Sequence, residues 1–217
     1  MSTIRILVAD DHEAVRAGLC YIVDSMQGFE ICGEACDGRQ AVEKAAELKP
    51  DVAIVDLGLP LLNGVDAIRQ IKKKAPATEV LAITGSGEES LIHQCFEAGA
   101  RGFIFKTDSR DMIQAAVSAL SEHKSYFPSK VGEVLFARFL HGKNNVSDGP
   151  QPSRLTKRER EIVQLLAEGR RNKEVASELG MSTKTAESHR AAIMKKLNLE
   201  SIADLVRYAI RNHITSA

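Results

Sequence analysis

Five short runs rich in β-branched residues, "IRILVAD", "FEICGEA", "DVAIVDL", "EVLAIT" and "GFIFK", recur between residues 4 and 106, and amphipathic stretches separate them. Strand-length runs alternating with helix-length amphipathic segments predict a parallel sheet with helices on both faces, because each strand must be returned to the same end of the sheet before the next begins. The apolar residues of the first stretch, Val15, Leu19, Ile22 and Met26, and those of the fifth, Ile113, Ala116, Val117 and Leu120, fall at helical spacing. Five βα units account for little more than half of the 217 residues, so a second domain is expected.

In an open parallel sheet, functional groups collect beyond the C-terminal ends of the strands, where the strand order reverses. The first run ends at Asp10 and Asp11, the third at Asp56, the fourth at Thr84 and the fifth at Lys106. Taken singly, an Asp after a strand is a turn or cap residue, a Thr there reflects β-propensity, and a Lys is solvated. Together, three acids on one rim raise one another's pKa or demand a cation. A hard divalent ion such as Mg²⁺ takes a few carboxylate oxygens and leaves positions for water or phosphate. Asp56 can then serve as a nucleophile that accepts a phosphoryl group, with the metal and Lys106 neutralising its oxygens. Thr84 can donate a hydrogen bond to the same group, and Gly85 leaves room beside it.

The segments "VADDHEAVR", "AIVDLGLPLLNGVDAI", "AITGSG" and "GARGFIFKTDS" resemble the receiver domain of two-component response regulators over residues 3 to 122. The resemblance implies a flavodoxin-like, doubly wound α/β fold with a five-stranded parallel sheet. It also implies Asp56 as phospho-acceptor, and Mg²⁺ held by Asp11, Asp56 and the carbonyl of Gly58 with Asp10 acting through water. Thr84 and Lys106 would bind the phosphoryl group, and Phe103, three residues before the lysine, matches the switch aromatic, a plain core aromatic being the alternative. Many receivers carry proline after the lysine; this chain has Thr107, so a trans peptide is expected there.

The net charge of zero hides an asymmetry: residues 1–125 carry 13 Lys+Arg against 19 Asp+Glu, and residues 126–217 carry 16 against 10. Only the second part attracts a polyanion. Between them, "YFPSKVGEVLFARFLH" has Val131, Val134, Leu135 and Phe139 at helical spacing, and "GKNNVSDGPQPS" reads as a flexible tether. From Leu155 the pattern is helical. Thr156 and Glu159 form a capping-box pair, Gly169 ends the first helix, Asn172 can cap the next, Gly180 breaks the chain, and Ser182 can cap a third. Helix, glycine turn, helix is a helix-turn-helix pattern, whose second helix fits the major groove; a small protein-binding helical bundle is the alternative.

"LTKREREIVQLLAEGRRNKEVASELGMSTKTAESHRAAIMKKL" resembles the LuxR-type DNA-binding domain, and its pairing with a receiver is the mark of the NarL/FixJ response regulators. By that resemblance the layout is a receiver over residues 1–124, a linker helix and tether over 125–153, and a separate all-α four-helix DNA-binding domain over 154–217. Thr185, Glu187, Ser188 and Ala191 would face the groove, and Lys173, Lys184 and Arg190 lie near helix starts where phosphates bind. A last helix carries Ile202, Leu205, Val206 and Ala209 in an apolar stripe. Glu187 stands where many members have lysine: it removes a guanine donor and offers an acceptor for a cytosine amino hydrogen, or it is a solvent-facing residue.

Cys20, Cys32, Cys36 and Cys95 lack metal-site spacing and are expected to be buried, reduced thiols. Lys72 to Lys74 read as a solvated helix face. No apolar run is long enough to span a bilayer, and a cytoplasmic location without membrane contact is expected. The expected partners are a histidine kinase, promoter DNA and, once phosphorylated, a second copy of the chain. No enzyme activity is expected beyond Mg²⁺-dependent phosphorylation and dephosphorylation of the chain itself. A phospho-dependent adaptor whose helical domain binds protein is the alternative.

Overall fold

The computed structural model describes residues 3–85, 87–129, 131–133 and 155–215, which belong to two compact units. The expected linker-helix residues Val134, Leu135 and Phe139, and the tether at 142–153, lie outside the described residues.

The first unit is a five-stranded parallel sheet of β1 (Ile4–Ala9), β2 (Phe29–Ala35), β3 (Val52–Asp56), β4 (Glu79–Thr84) and β5 (Gly102–Phe105), in the order β2-β1-β3-β4-β5. Five helices alternate with them: α1 (Glu13–Asp24), α2 (Gly38–Leu48), α3 (Gly64–Lys74), α4 (Glu89–Ala98) and α5 (Arg110–Ser121). The period of two along each strand divides the core. Ile6, Val8, Ile54, Leu81, Ile83 and Ile104 pack with Leu19 and Val23 of α1 and with Ile113, Ala116, Val117 and Leu120 of α5. The alternate residues, among them Leu7, Val55, Val80 and Phe103, are buried on the opposite face. Strand order reverses between β1 and β3, which opens the crevice of a doubly wound sheet at their C-terminal ends.

Several local expectations differ from what forms. Met26 lies beyond α1, whose C-cap is Ser25, yet still packs on the core. Lys72 is not a solvated residue like Lys73 and Lys74: its ammonium donates to the carbonyls of Pro76 (2.9 Å) and Thr78 (2.8 Å), closing the turn before β4. Of the four free cysteines only Cys95 is buried, where desolvation pushes its thiol up to about 12; Cys20 and Cys32 are half-buried and Cys36 is exposed. Beyond α5 the chain returns to the sheet. Tyr126 bonds to the outer edge of β5, its carbonyl accepting from Phe103 N–H (3.0 Å) and its N–H donating to the Arg101 carbonyl (3.2 Å). The Phe127 ring meets Phe96 of α4 edge-on at 4.9 Å.

The second unit contains α6 (Lys157–Ala167), α7 (Asn172–Glu178), α8 (Thr183–Leu197) and α9 (Ile202–Arg211). Ile162, Val163 and Leu166 of α6, Val175 and Ala176 of α7, Ala186 and Ile193 of α8 and Leu205 and Ala209 of α9 share one core. Of the apolar stripe expected on α9, Leu205 and Ala209 are fully buried, Val206 is half-buried and Ile202 is exposed. The cap of α7 is Arg171 and not Asn172, which is the first helical residue; the Arg171 N–H donates to the Glu174 carboxylate (2.7 Å). Gly180 adopts φ +62° between α7 and α8, a left-handed turn that side chains disfavour.

The capping box at the start of α6 forms as expected: Glu159 N–H donates to Thr156 Oγ1 (3.2 Å) and Thr156 N–H to Glu159 Oε2 (2.6 Å). Lys196 of α8 reaches the same oxygen at 2.7 Å. Burial works against the Glu159 charge, but Lys196 and Thr156 outweigh it and hold the carboxyl below its ordinary value. A depressed carboxyl adds stability above its unfolded pKa of about 4.3 and loses it as pH falls through the folded value. Glu159→Gln is therefore expected to cost about 1 kcal/mol at neutral pH, with the difference from wild type closing in acid; urea unfolding of both chains across pH measures it.

Candidate functional site

The loop after β1 carries Asp10 and Asp11, and β3 ends on Asp56, so the crevice at the strand-order reversal is lined by carboxylates. Thr84 ends β4, and the Lys106 N–H donates to the Thr84 carbonyl (2.8 Å), which sets the lysine beside the same edge. Its ammonium lies 2.8 Å from Asp10 Oδ2 and 3.1 Å from Asp56 Oδ2. Asp10, Asp56 and Thr84 are buried and Asp11 is exposed. Ligand oxygens of Asp10, Asp11 and Asp56, with a ring nitrogen of His12, all lie within 4.8 Å of one another. The three acids and the ammonium therefore share one rim, with Thr84 at the adjoining strand end.

The electrostatics show a shortage of positive charge. Burial raises the Asp56 carboxyl above its ordinary value; Lys106 opposes that and Asp10 adds to it. Burial acts to lower the Lys106 ammonium, but the two carboxylates prevail and hold it above its usual value. One ammonium among three acids leaves the rim net negative. An all-oxygen, anionic donor set of this spacing fits a hard dication.

The Gly58 backbone lies close enough to Asp56 to favour its charged form slightly, and a Cβ there would sit 3.3 Å from Asp56 Oδ2. A Cβ on Gly85 would meet no described residue within 4 Å apart from its chain neighbours. Phe103 is fully buried, its ring 5.4 Å from that of Phe105. The Lys106–Thr107 peptide is trans.

Three contributors went unread in the sequence. His12 donates its N–H to Asp10 Oδ1 (2.8 Å), and its Nδ1 lies 2.8 Å from Asp11 Oδ1. Arg16 donates to the Asp10 carbonyl (2.9 Å) and to Glu34 (3.0 Å). Gly64 lets the start of α3 lie against the backbone of Asp56. All three sit inside the motifs quoted above, but only spatial adjacency reveals their roles.

In the helical unit, Lys173, Lys184, Thr185, Glu187, Ser188 and Ala191 are exposed and Arg190 is half-buried. Ser182 caps α8 by accepting from Thr185 N–H (3.1 Å). Among the described residues, no helix is long and apolar enough to cross a membrane.

A family profile described as "Response regulator receiver domain" matches residues 6–118, and one described as "Bacterial regulatory proteins, luxR family" matches residues 153–209. The chain belongs to the NarL/FixJ response regulators. This NarL/FixJ regulator is 36% identical over 213 residues to the transcriptional regulatory protein LiaR of Bacillus subtilis, spanning 98% of this chain and 100% of that one. It is 35% identical over 214 residues to the oxygen regulatory protein NreC of Staphylococcus epidermidis, spanning 97% and 98%. Among solved structures, the response regulator ChrA of a heme-sensing two-component system matches 99% of the regulator and 100% of its own chain at 30% identity, with a TM-score of 0.53. A LuxR-family response regulator from Aurantimonas matches 64% of the regulator and 99% of its own chain at 29% identity, with a TM-score of 0.59. A receiver joined to a LuxR-type DNA-binding domain is the architecture of a transcriptional response regulator.

Proposed function

We propose that Asp56 accepts a phosphoryl group from a partner histidine kinase and that the phosphorylated chain pairs with a second copy to regulate transcription from promoter DNA. The observation that carries this is the Lys106 ammonium, set between Asp10 and Asp56 at the strand-order reversal. In the transfer, an Asp56 carboxylate oxygen attacks phosphorus, a new P–O bond forms the acyl phosphate, and the P–N bond to the kinase imidazole breaks. The imidazole keeps that electron pair and remains protonated through its other nitrogen. Lys106 is placed to neutralise a phosphoryl oxygen and Thr84 to donate to another. Phe103 then moves into the space that Thr84 leaves, which shifts the balance toward the DNA-competent dimer.

Mg²⁺ suits the anionic rim; Asp11, Asp56 and the Gly58 carbonyl would hold it, with Asp10 acting through water, and it would supply further neutralisation of the transferring group. The receiver occupies residues 1–124, residues 125–153 connect, and residues 154–217 bind DNA. Lys173, Lys184 and Arg190 hold phosphates, while Thr185, Glu187, Ser188 and Ala191 of α8 face base edges. A kinase phosphodonor and promoter DNA as partners place the chain in the cytoplasm.

Duplex binding tests the reading. Three phosphate-binding cations per protomer predict a dimer whose affinity falls about a thousandfold between about 50 and 200 mM salt. Fluorescence anisotropy on duplex DNA measures it. Retention of a protein partner with no salt-sensitive duplex binding would instead make the chain an adaptor.

A further inference from the structure

The outward face of α8 is laid out unevenly. Lys184 and Lys195, exposed near its two ends, are about 16 Å apart along the axis, a span comparable with the width of a major groove. Between them the exposed positions are Thr185, Glu187, Ser188, Ala191 and Ala192. Three of these are small. Ser188 Oγ donates to the Lys184 carbonyl (2.9 Å), and Thr185 Oγ1 is joined to Ser182 Oγ (2.7 Å). Glu187, although flanked at helical spacing by Lys184 and Arg190, has no hydrogen bond or ion pair with any described residue. Among these exposed positions it is the only long polar side chain, and its carboxylate accepts hydrogen bonds but cannot donate them.

Resting on the DNA-binding reading above, we propose that Glu187 selects a cytosine in each half-site by accepting a hydrogen from its N4 amino group. A carboxylate carried into the groove is repelled by the phosphates on either side, and only a base-edge donor compensates. Guanine presents N7 and O6, both acceptors, and thymine presents O4, so each repels the carboxylate. Adenine offers its N6 donor beside the N7 acceptor, whereas cytosine offers its donor with no acceptor on the same major-groove edge. The small residues at 188, 191 and 192 let the helix backbone come close enough for one glutamate to reach. The two lysines hold the phosphate rows and leave the choice of base to the centre.

The test is selection from randomised duplexes by the full chain and by Glu187→Gln, Glu187→Lys and Glu187→Ala, with far-UV circular dichroism to verify that these surface variants fold. Wild type is expected to favour cytosine at one position per half-site by about tenfold. Glu187→Gln moves that preference to adenine and Glu187→Lys to guanine, while Glu187→Ala levels the position and binds random duplex more tightly. If all four chains recover the same base at every position, Glu187 reads nothing and the proposal falls. If neither wild type nor any variant enriches a duplex, the DNA-binding reading fails and this inference with it.

Discussion

Asp56→Asn is expected to take no label from acetyl phosphate while the wild-type chain is labelled. No neighbouring acid can stand in. Asp10 Oδ1 accepts the His12 N–H and its Oδ2 faces Lys106, both on a fully buried side chain, while Asp11 is exposed beside the His12 ring. The substitution preserves shape, so loss of label would not come from unfolding. A second readout separates the two: because burial and Asp10 raise the Asp56 carboxyl, its ionised form is disfavoured where it sits, and a neutral amide relieves that. Chemical denaturation without added metal should find Asp56→Asn at least as stable as wild type at neutral pH. Labelling that persists in the variant would move the acceptor elsewhere.

Gly64→Ala is expected to damage the fold and the site together. A Cβ at Gly64 would lie 2.1 Å from the Asp56 carbonyl oxygen and 2.5 Å from Leu57 Cα, both backbone atoms with no rotamer to yield. The Gly64 N–H donates to the Leu57 carbonyl (3.1 Å), and the Leu57 N–H donates to the Ile83 carbonyl (3.0 Å), so α3, β3 and β4 are tied at this point. Either α3 backs away or Asp56 is dragged from Lys106. The cost should be about 3 kcal/mol or more, seen as a melting temperature lower by roughly 10 °C, with slower labelling of whatever chain remains folded. An unchanged melting temperature would mean that the loop after β3 gives way freely.

The sheet was legible because its signal is local. Each β-branched run carries its own strand, and "FEICGEA" coincides with β2 from Phe29 to Ala35. The five residues at strand ends were legible for a topological reason, since parallel strands deliver their C-termini to one edge. What escaped depends on contacts between segments distant in sequence. Arg16 matters because β2 lies beside β1 and brings Glu34 near, and Lys72 is drawn from solvent by the turn before β4. The expectation of four buried thiols holds only at Cys95 and fails furthest at Cys36, which sits in the loop after β2, beyond the strand's buried end at Ala35. The alternatives at Glu187 stayed open in the sequence because helical spacing alone does not reveal which side chains are already engaged.

Tyr126 decides where the first unit can be cut. Its two main-chain links occupy the free side of β5, so a fragment stopped at Ser121 would leave the Phe103 amide and the Arg101 carbonyl without protein partners. Such a bare rim invites strand exchange between copies, and association seen in a fragment so trimmed would report the missing strap rather than any regulated pairing of the intact chain.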